Sequence, residues 1–570
     1  MARIIPGVEV KVVKEVVPKQ LAPSGVLGLV GLVEKAPETG GLARASSWNA
    51  FKEAFGEGSI HSLPQAPQAL ANGVFTVVVS PVSAEAASKA GGDMKLASKK
   101  MLSFAARAPG SWANGLTLTW GERKGPLGMA AFDMELTDAK GASVESFRNV
   151  TMAPGSPRYV VDYINQYSTR ITAEVAAGAS LPGLPQRQEP RPLQKKSSKH
   201  VWAITAKDAD GTSDVTLVEV EAKTDKPENL RVAVEPLSGG FKVQVFEEKN
   251  GELVLLRREG SNSLGKAVEL GKLHAALEMP DLADLWLDDG FLFEPKSPAA
   301  GTAPLAGGTD ASQDAYNAAI KALENEGDVD MVIAAVQDTS NHTRVQAIYT
   351  MVNDHCKVMS DNAKGRLGFG EVPLGADKTQ AQSMVDGLRS DRFVLVAPAG
   401  TVGAVAGRVG NLSYYESPTF KTLGGVGQPS QLFGMDKQRE LLQQNVLPVA
   451  VLQGRGLVVV KGITTDGDQI SVRRVADRVV RAVEMIGNEF IGRLNTELGR
   501  AALRQKIEED LMQRVRAGAL VPKPDGTGSP YLLDVYSHSQ DFAMGIVRVD
   551  LAMRPVRAID YIYATVTVQV

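Results

Sequence analysis

Residues 311–397 read ASQDAYNAAIKALENEGDVDMVIAAVQDTSNHTRVQAIYTMVNDHCKVMSDNAKGRLGFGEVPLGADKTQAQSMVDGLRSDRFVLVA. Three times a helical pattern gives way to a short apolar run. A helix over Ala311–Glu326 leads to a strand over Asp330–Val336, and a helix over His342–Met359 leads to Leu367–Val372. A third helix, over Lys378–Arg389, leads to Phe393–Ala397. Such alternation predicts a sheet covered by helices. The first eighty residues share that character. LAPSGVLGLVGLV at 21–33 reads as a buried strand with close neighbours, because Gly25, Gly28 and Gly31 leave room for them. SSWNAFKEAFG at 46–56 reads as a short helix with Ser47 as N-cap and Gly56 closing it. A helix end at Asn72-Gly73 then precedes a strand, VFTVVVS.

Between these two α/β stretches the period changes. Residues 105–120 hold Pro-Gly and Asn-Gly turns before an alternating strand, and Phe132–Leu136 with Val144–Phe147 reads as a hairpin. Arg158–Tyr167 has helical spacing. Residues 179–199, rich in Pro, Gln, Arg and Lys, read as a linker or exposed loop. From Val201 to about Arg258 the period is two, with Asp-Gly, Gly-Gly and Asn-Gly turns. Residues 229–256 loosely echo 114–147, which suggests a duplicated β-rich unit. Residues 295–313 form a second boundary.

C-terminally, Lys437–Gln444 reads as a helix, and Val446–Gln453 with Leu457–Lys461 as strands around Gly454-Arg455-Gly456. A long amphipathic helix follows, with Val472, Val475, Val479, Val483, Ile486, Phe490 and Leu494 as its apolar stripe. Arg474, Arg478 and Arg481 fall on the opposite face. They read either as a solvated face beside Asp477 and Glu484 or as a face laid on an acidic partner. A helix over Ala501–Ala517 and strands over Tyr531–Tyr536 and Gly545–Pro555 come next.

The chain has 570 residues, 44% apolar and 22% charged, with net charge −3 and one cysteine. That length predicts three or four domains. The charge balance argues against a nucleic-acid binder, and Cys356 alone allows no intrachain disulfide. The first residues hold no apolar run of signal-peptide length, and no stretch reaches the ~18 apolar residues of a membrane helix. Motifs that carry chemistry are absent or incomplete. Gly260, Gly265 and Lys266 fit a phosphate loop, but Ala267 stands where a hydroxyl is needed. His355 and Cys356 are adjacent on a helix, about 100° apart, and read as buried helix residues. Asp328 with Asp330, and Asp288 with Asp289, read as solvated turn charges. We therefore expect no catalytic residues, no cofactor and no metal site.

Two further stretches stand near the ends of the sequence. Residues 7–17, GVEVKVVKEVV, contain Val8, Val10, Val12 and Val13; residues 561–570, YIYATVTVQV, contain Tyr561, Tyr563, Thr565, Val566, Thr567 and Val568. Both read as strands, able to pair within their own domain or to complete a neighbour's sheet. By pattern alone both also fit ordinary edge strands.

Taken together, the chain resembles the contractile tail sheath proteins of myophages and related contractile injection systems. The resemblance rests on PGVEV (6–10), SGVLGLVGLVEKAPE (24–38), SWNAFKEAFG (47–56), APGSWANGLTLTW (108–120), ESFRNVTM (145–152), RYVVDYIN (158–165), LAGGTDA (305–311), the His355-Cys356-Lys357 run and RPVRAIDYIYATVTVQV (554–570), in that order. It covers roughly 1–175 and 300–570 and leaves out a β-rich stretch. It implies a multidomain α/β fold whose sheath core is built from N- and C-terminal parts, with an inserted β-rich domain and terminal β-strand arms. The expected division is an arm at 1–20, an α/β and hairpin part at 21–178 and the insert at 179–300. A middle part follows at 301–430, a tube-facing domain at 431–558 and a linking strand at 559–570. It further implies a non-enzymatic subunit that stacks as hexameric rings around an inner tail tube and contracts. Its partners would be other copies of itself, the tube protein, and baseplate and terminator or cap proteins, with neither nucleic-acid binding nor membrane insertion. It would be made in the bacterial cytoplasm and reside in a virion tail or contractile particle. Arg474, Arg478 and Arg481 are then candidates for the tube contact. An α/β enzyme with a β-rich accessory domain, or a static shell or surface-layer protein, are the alternatives.

Overall fold

The computed structural model describes residues 24–37, 41–96, 99–124, 130–152, 157–176, 188–196, 198–207, 214–221, 226–237, 240–255, 268–269, 291–294, 298–427 and 429–563. Its centre, among the described residues, is an eight-stranded sheet. The order is Ala43–Ala45, Thr76–Pro81, Val26–Gly31, Met331–Ala334, Leu367–Glu371, Phe393–Ala397, Leu447–Leu452 and Gly456–Val459. The six inner strands run parallel, and an antiparallel strand closes each edge. Parallel strands are buried on both faces and need continuous apolar runs. Phe393–Ala397 and Val26–Gly31 meet that need with every residue buried.

The helices Gln313–Ala322, His342–Asp361, Lys378–Gly387 and Met435–Gln443 cover one face. Trp48–Phe55, Gln65–Ala71 and Val402–Asn411 cover the other. Ser47 caps its helix by accepting from the Ala50 amide at 3.2 Å, as its sequence predicts. Val402–Asn411, VGAVAGRVGN, is a helix that the sequence reading passes over. Glycine disfavours helix interiors by roughly 1 kcal/mol each relative to alanine. Here glycine is what packing requires: a Cβ on Gly403 would lie 2.5 Å from Gln65 Cα, and one on Gly407 2.5 Å from the Ala69 carbonyl.

A second unit carries Gly91–Leu96, Lys99–Ala106 and Ile171–Val175 in one sheet, and Thr117–Lys124, Ala130–Thr137, Ser143–Val150 and Gly301–Pro304 in another. They close on a core that includes Phe104, Phe132 and Ile164, the last from the helix Val160–Tyr167. This unit docks at the carboxyl ends of Val26–Gly31 and Met331–Ala334. Strand order reverses there, and open α/β sheets usually leave a ligand crevice at that point. Gln337 fills the place, accepting from the Trp112 amide at 3.3 Å and donating to the Ser62 carbonyl at 3.1 Å.

The expectation of a loop over 179–199 is corrected in part. Gln188–Pro192 and Gln194–Lys196 are strands, each added to a sheet of the β-rich stretch, opposite Leu230–Leu237 and Lys199–Lys207. The phosphate-loop-like 260–266 and Asp288-Asp289 lie outside the described residues.

Asp328 and Asp330 are not free turn charges. Asp328 pairs with Arg44 at 2.7 Å, and Asp330 with Arg481 at 3.0 Å. Nearby, Arg366 is fully buried. Its guanidinium donates to the Leu323 carbonyl at 3.0 Å and to the Glu326 carbonyl, closing the helical stretch that ends there. It also lies 2.7 Å from His355 Nε2. Burial, with Arg366 beside it, pulls the His355 imidazole down to about 4. An unfolded imidazole titrates near 6.5, so the folded state disfavours protonation. The stabilisation is complete above ~6.5 and is lost as pH falls towards 4, by up to about 3 kcal/mol. In urea titrations across that window, His355→Gln should show a shallower loss of stability than the parent. Equal slopes would remove His355 from the acid response.

Candidate assembly interface

The C-terminal unit holds the residues with most bearing on assembly. Two helices, Ile470–Asn488 and Glu497–Arg516, pack through Val475, Val479, Ile486, Leu503, Ile507 and Leu511. Against them lies a ribbon of two antiparallel strands, Tyr531–Tyr536 and Arg548–Met553, paired from Tyr531 opposite Met553 to Tyr536 opposite Arg548. Leu533, Val535, Val549, Leu551 and Met553 turn towards the helices. Among the described residues no third strand pairs along Tyr531–Tyr536 or Arg548–Met553, and just beyond the second strand Leu520 bridges Pro555. Two-stranded ribbons are marginal alone, and open edges are templates for strand addition. Beside the ribbon runs an open trough of about 750 Å³, lined by Arg504, Glu508 and residues of both strands.

The predicted basic face of Ile470–Asn488 requires a correction. Arg474 is buried and donates to the Leu412 and Ser413 carbonyls, both at 3.2 Å. Arg481 donates to the Val329 and Gly365 carbonyls, both at 2.7 Å, and pairs with Asp330. Arg478 lines the same small cleft with Tyr414 and Asp477. Burial pulls the Arg474 guanidinium down to about 10, and it lowers Arg478 as well. The helix has two packed sides, an apolar one towards Glu497–Arg516 and an arginine one towards the starts of the sheet strands. Asp477 is not solvated either: it pairs with Arg392 at 3.1 Å and with Arg473. Arg474 and Arg481 therefore tie this helix to the body of the same chain, and reversing their charge would act first on the fold.

Of the strand-like end segments, Val8, Val10, Val12, Val13, Thr565, Val566, Thr567 and Val568 lie outside the described residues. Tyr561 and Tyr563 are described and carry no strand there. The chain leading to them is anchored. Gln469 Nε2 donates to the Ala558 carbonyl at 3.0 Å and to Asp560 at 2.7 Å, and the Ala558 amide donates back to Gln469 Oε1 at 2.8 Å. Lys461 Nζ lies 5.1 Å from the centre of the Tyr561 ring. Beyond this hold Ile562 is 82% and Tyr563 95% exposed. Gln469 and the ribbon edges escaped the sequence reading. A lone glutamine before a helix carries no pattern, and whether a third strand joins a ribbon is decided in space rather than along the sequence.

His355 and Cys356 are both buried in His342–Asp361, and burial pushes the Cys356 thiol up to about 12. Among the described residues no three His, Cys, Asp or Glu side chains are grouped to hold a metal ion. No helix among them is long and apolar enough to cross a membrane.

Residues 309–465, about a quarter of the chain, match the family described as phage tail sheath protein central domain. No curated protein matches the sequence. Among solved structures, the sheath tail protein from Listeria innocua is 12% identical over 95% of this chain and 93% of its own, with a TM-score of 0.43. That from Desulfitobacterium hafniense is 13% identical over 96% and 100%, with a TM-score of 0.42. The sheath complex of an extracellular contractile injection system in the contracted state is 16% identical over 46% and 77%, with a TM-score of 0.38. Over residues 309–465 the chain is similar to the phage tail sheath protein central domain.

Proposed function

We propose that this chain is the structural, non-catalytic subunit of a contractile sheath. Copies stack as hexameric rings around an inner tube, bounded by baseplate and terminator proteins, and contraction drives the tube through a target envelope. The observation that carries the linking part of this reading is the ribbon Tyr531–Tyr536/Arg548–Met553, neither of whose outer edges pairs with a further strand among the described residues. The same chain supplies two strand-like segments, 7–17 and 561–570. Two such edges and two such segments per copy match a lattice in which each body receives strands from its neighbours. In the second segment Ile562, Ala564, Val566, Val568 and Val570 alternate with Tyr561, Tyr563, Thr565, Thr567 and Gln569. That is the pattern of a strand with one face buried. Links of this kind stay made while bodies rotate, so the lattice can pass between two packings.

Negative-stain electron microscopy of the full chain expressed alone tests the reading. Hollow tubes with a regular helical repeat are expected. Isolated particles both alone and on co-expression with a tube protein would overturn it, and flat sheets would favour a static shell.

A further inference from the structure

We propose that Asp330 is a two-sided latch coupling the point where the chain enters the central sheet to the helix Ile470–Asn488. One carboxylate oxygen, Oδ2, accepts from the Gly25 amide at 2.6 Å and the Val26 amide at 3.5 Å. The other, Oδ1, pairs with Arg481 at 3.0 Å. The two loads sit on one planar group, so a turn of the carboxylate that improves one contact weakens the other. Gly25 leaves little slack. It has φ +102°, and a Cβ there would overlap the Gly410 carbonyl. A second path from the same helix reaches the same place. Arg474 holds the carbonyls of Leu412 and Ser413, just beyond Gly410. One helix thus grips Gly25 from both sides, through Asp330 and through the segment that carries Gly410.

The other end of that helix holds the second flanking segment. Gln469, the residue before its first turn, binds Ala558 and Asp560. Gln469 and Arg481 are twelve positions apart, roughly 18 Å along a helix at 1.5 Å per residue. A rigid rod therefore connects the roots of the segments that precede Ser24 and follow Asp560. Load on one root is transmitted to the other through packed groups with defined partners. The coupling is reciprocal. It stands on these contacts whether or not the chain forms a contractile lattice.

Hydrogen exchange on the full-length protein, resolved to single amides at Gly25 and Val26, tests this. Arg481→Met leaves the acceptor of both amides in place and removes the far partner of Asp330, together with the bonds to the Val329 and Gly365 carbonyls. Exchange at Gly25 and Val26 should accelerate about tenfold or more. Arg473→Met, on the same helix but paired with Asp391 and Asp477, should leave them unchanged. Arg481→Lys, which keeps the charge and loses the fork, should give a smaller acceleration and remains readable if the methionine variant folds poorly. Unchanged exchange at Gly25 and Val26 in both Arg481 variants, or equal acceleration in Arg473→Met, would overturn the latch.

Discussion

Removing Tyr561–Val570 should leave a folded subunit that no longer polymerises. The described body ends in contacts that survive the cut, because Gln469 keeps Ala558 and Asp560, and Lys461 keeps Asp560 at 3.7 Å. What goes from the body is the Lys461–Tyr561 contact, of the order of 0.5 kcal/mol at an exposed site. Tyr561, Ile562 and Tyr563 are exposed rather than packed in a core. Thermal unfolding should therefore shift by less than about 2 °C. On the proposed linking, assembly should respond far more, because each copy loses one of its two strand-like segments. The fraction pelleting as regular tubes should fall at least about tenfold, with monomers in sedimentation velocity. Val566→Lys with Val568→Lys, which spoils one face of the segment without shortening it, should reproduce the loss. Regular tubes from the truncated protein would dismiss the segment as a link.

The second large effect is on stability. Gly407→Val should cost at least about 3 kcal/mol, and Gly403→Val a similar amount. A Cβ at Gly407 would stand 2.5 Å from the Ala69 carbonyl oxygen and 2.6 Å from Ala69 Cα. These are backbone atoms of a packed helix, which cannot swing aside as a side chain can. The helix pair would have to separate. That would loosen the Asn72 side chain from Gly424, which it grips through two hydrogen bonds of 2.8 and 2.9 Å. It would also expose Val405 and Val409 from the core on that face. Glycine-to-valine changes at the exposed Gly454 or Gly526 turns would instead act through local backbone strain, with no neighbour within 4 Å. Urea denaturation of the four variants separates the two causes. Equal losses at Gly407 and Gly454 would refute the close-packing account.

The central sheet was legible because its strands must be apolar on both faces and its helices on one. Phe393–Ala397 and Tyr531–Tyr536 fall where the residues place them, and the helix that starts at Lys378 ends at Gly387, two residues before the expected Arg389. Val402–Asn411 was hidden because its glycines are chosen by a neighbour 330 or more positions away, which no local window sees. The arginine face was misread for a related reason. An amphipathic pattern separates apolar from polar, not buried from exposed, and buried guanidinium groups satisfied by carbonyls look solvated in sequence. The ribbon edges, unpaired among the described residues, are a property of what does not follow in space, so only the assembled topology reveals them. Gln469 and Asp330 act through contacts 89 and 305 positions away along the chain.

The sheet that unites Val26–Gly31 with Met331–Ala334 also sets a timetable for biosynthesis. The first strand leaves the ribosome with only Thr76–Pro81 and Ala43–Ala45 as available partners. Its other neighbour is encoded roughly 300 residues later. At about 5–20 residues per second the wait is some 15–60 s. The unit built around Phe104 and Phe132 waits about three-fifths as long, since its strand Gly301–Pro304 follows the β-rich stretch. Throughout that interval the nascent chain carries two unfinished apolar edges. Translation speed across residues 100–330, and the chaperones present while they emerge, should therefore govern yield more strongly than any single contact in the finished protein.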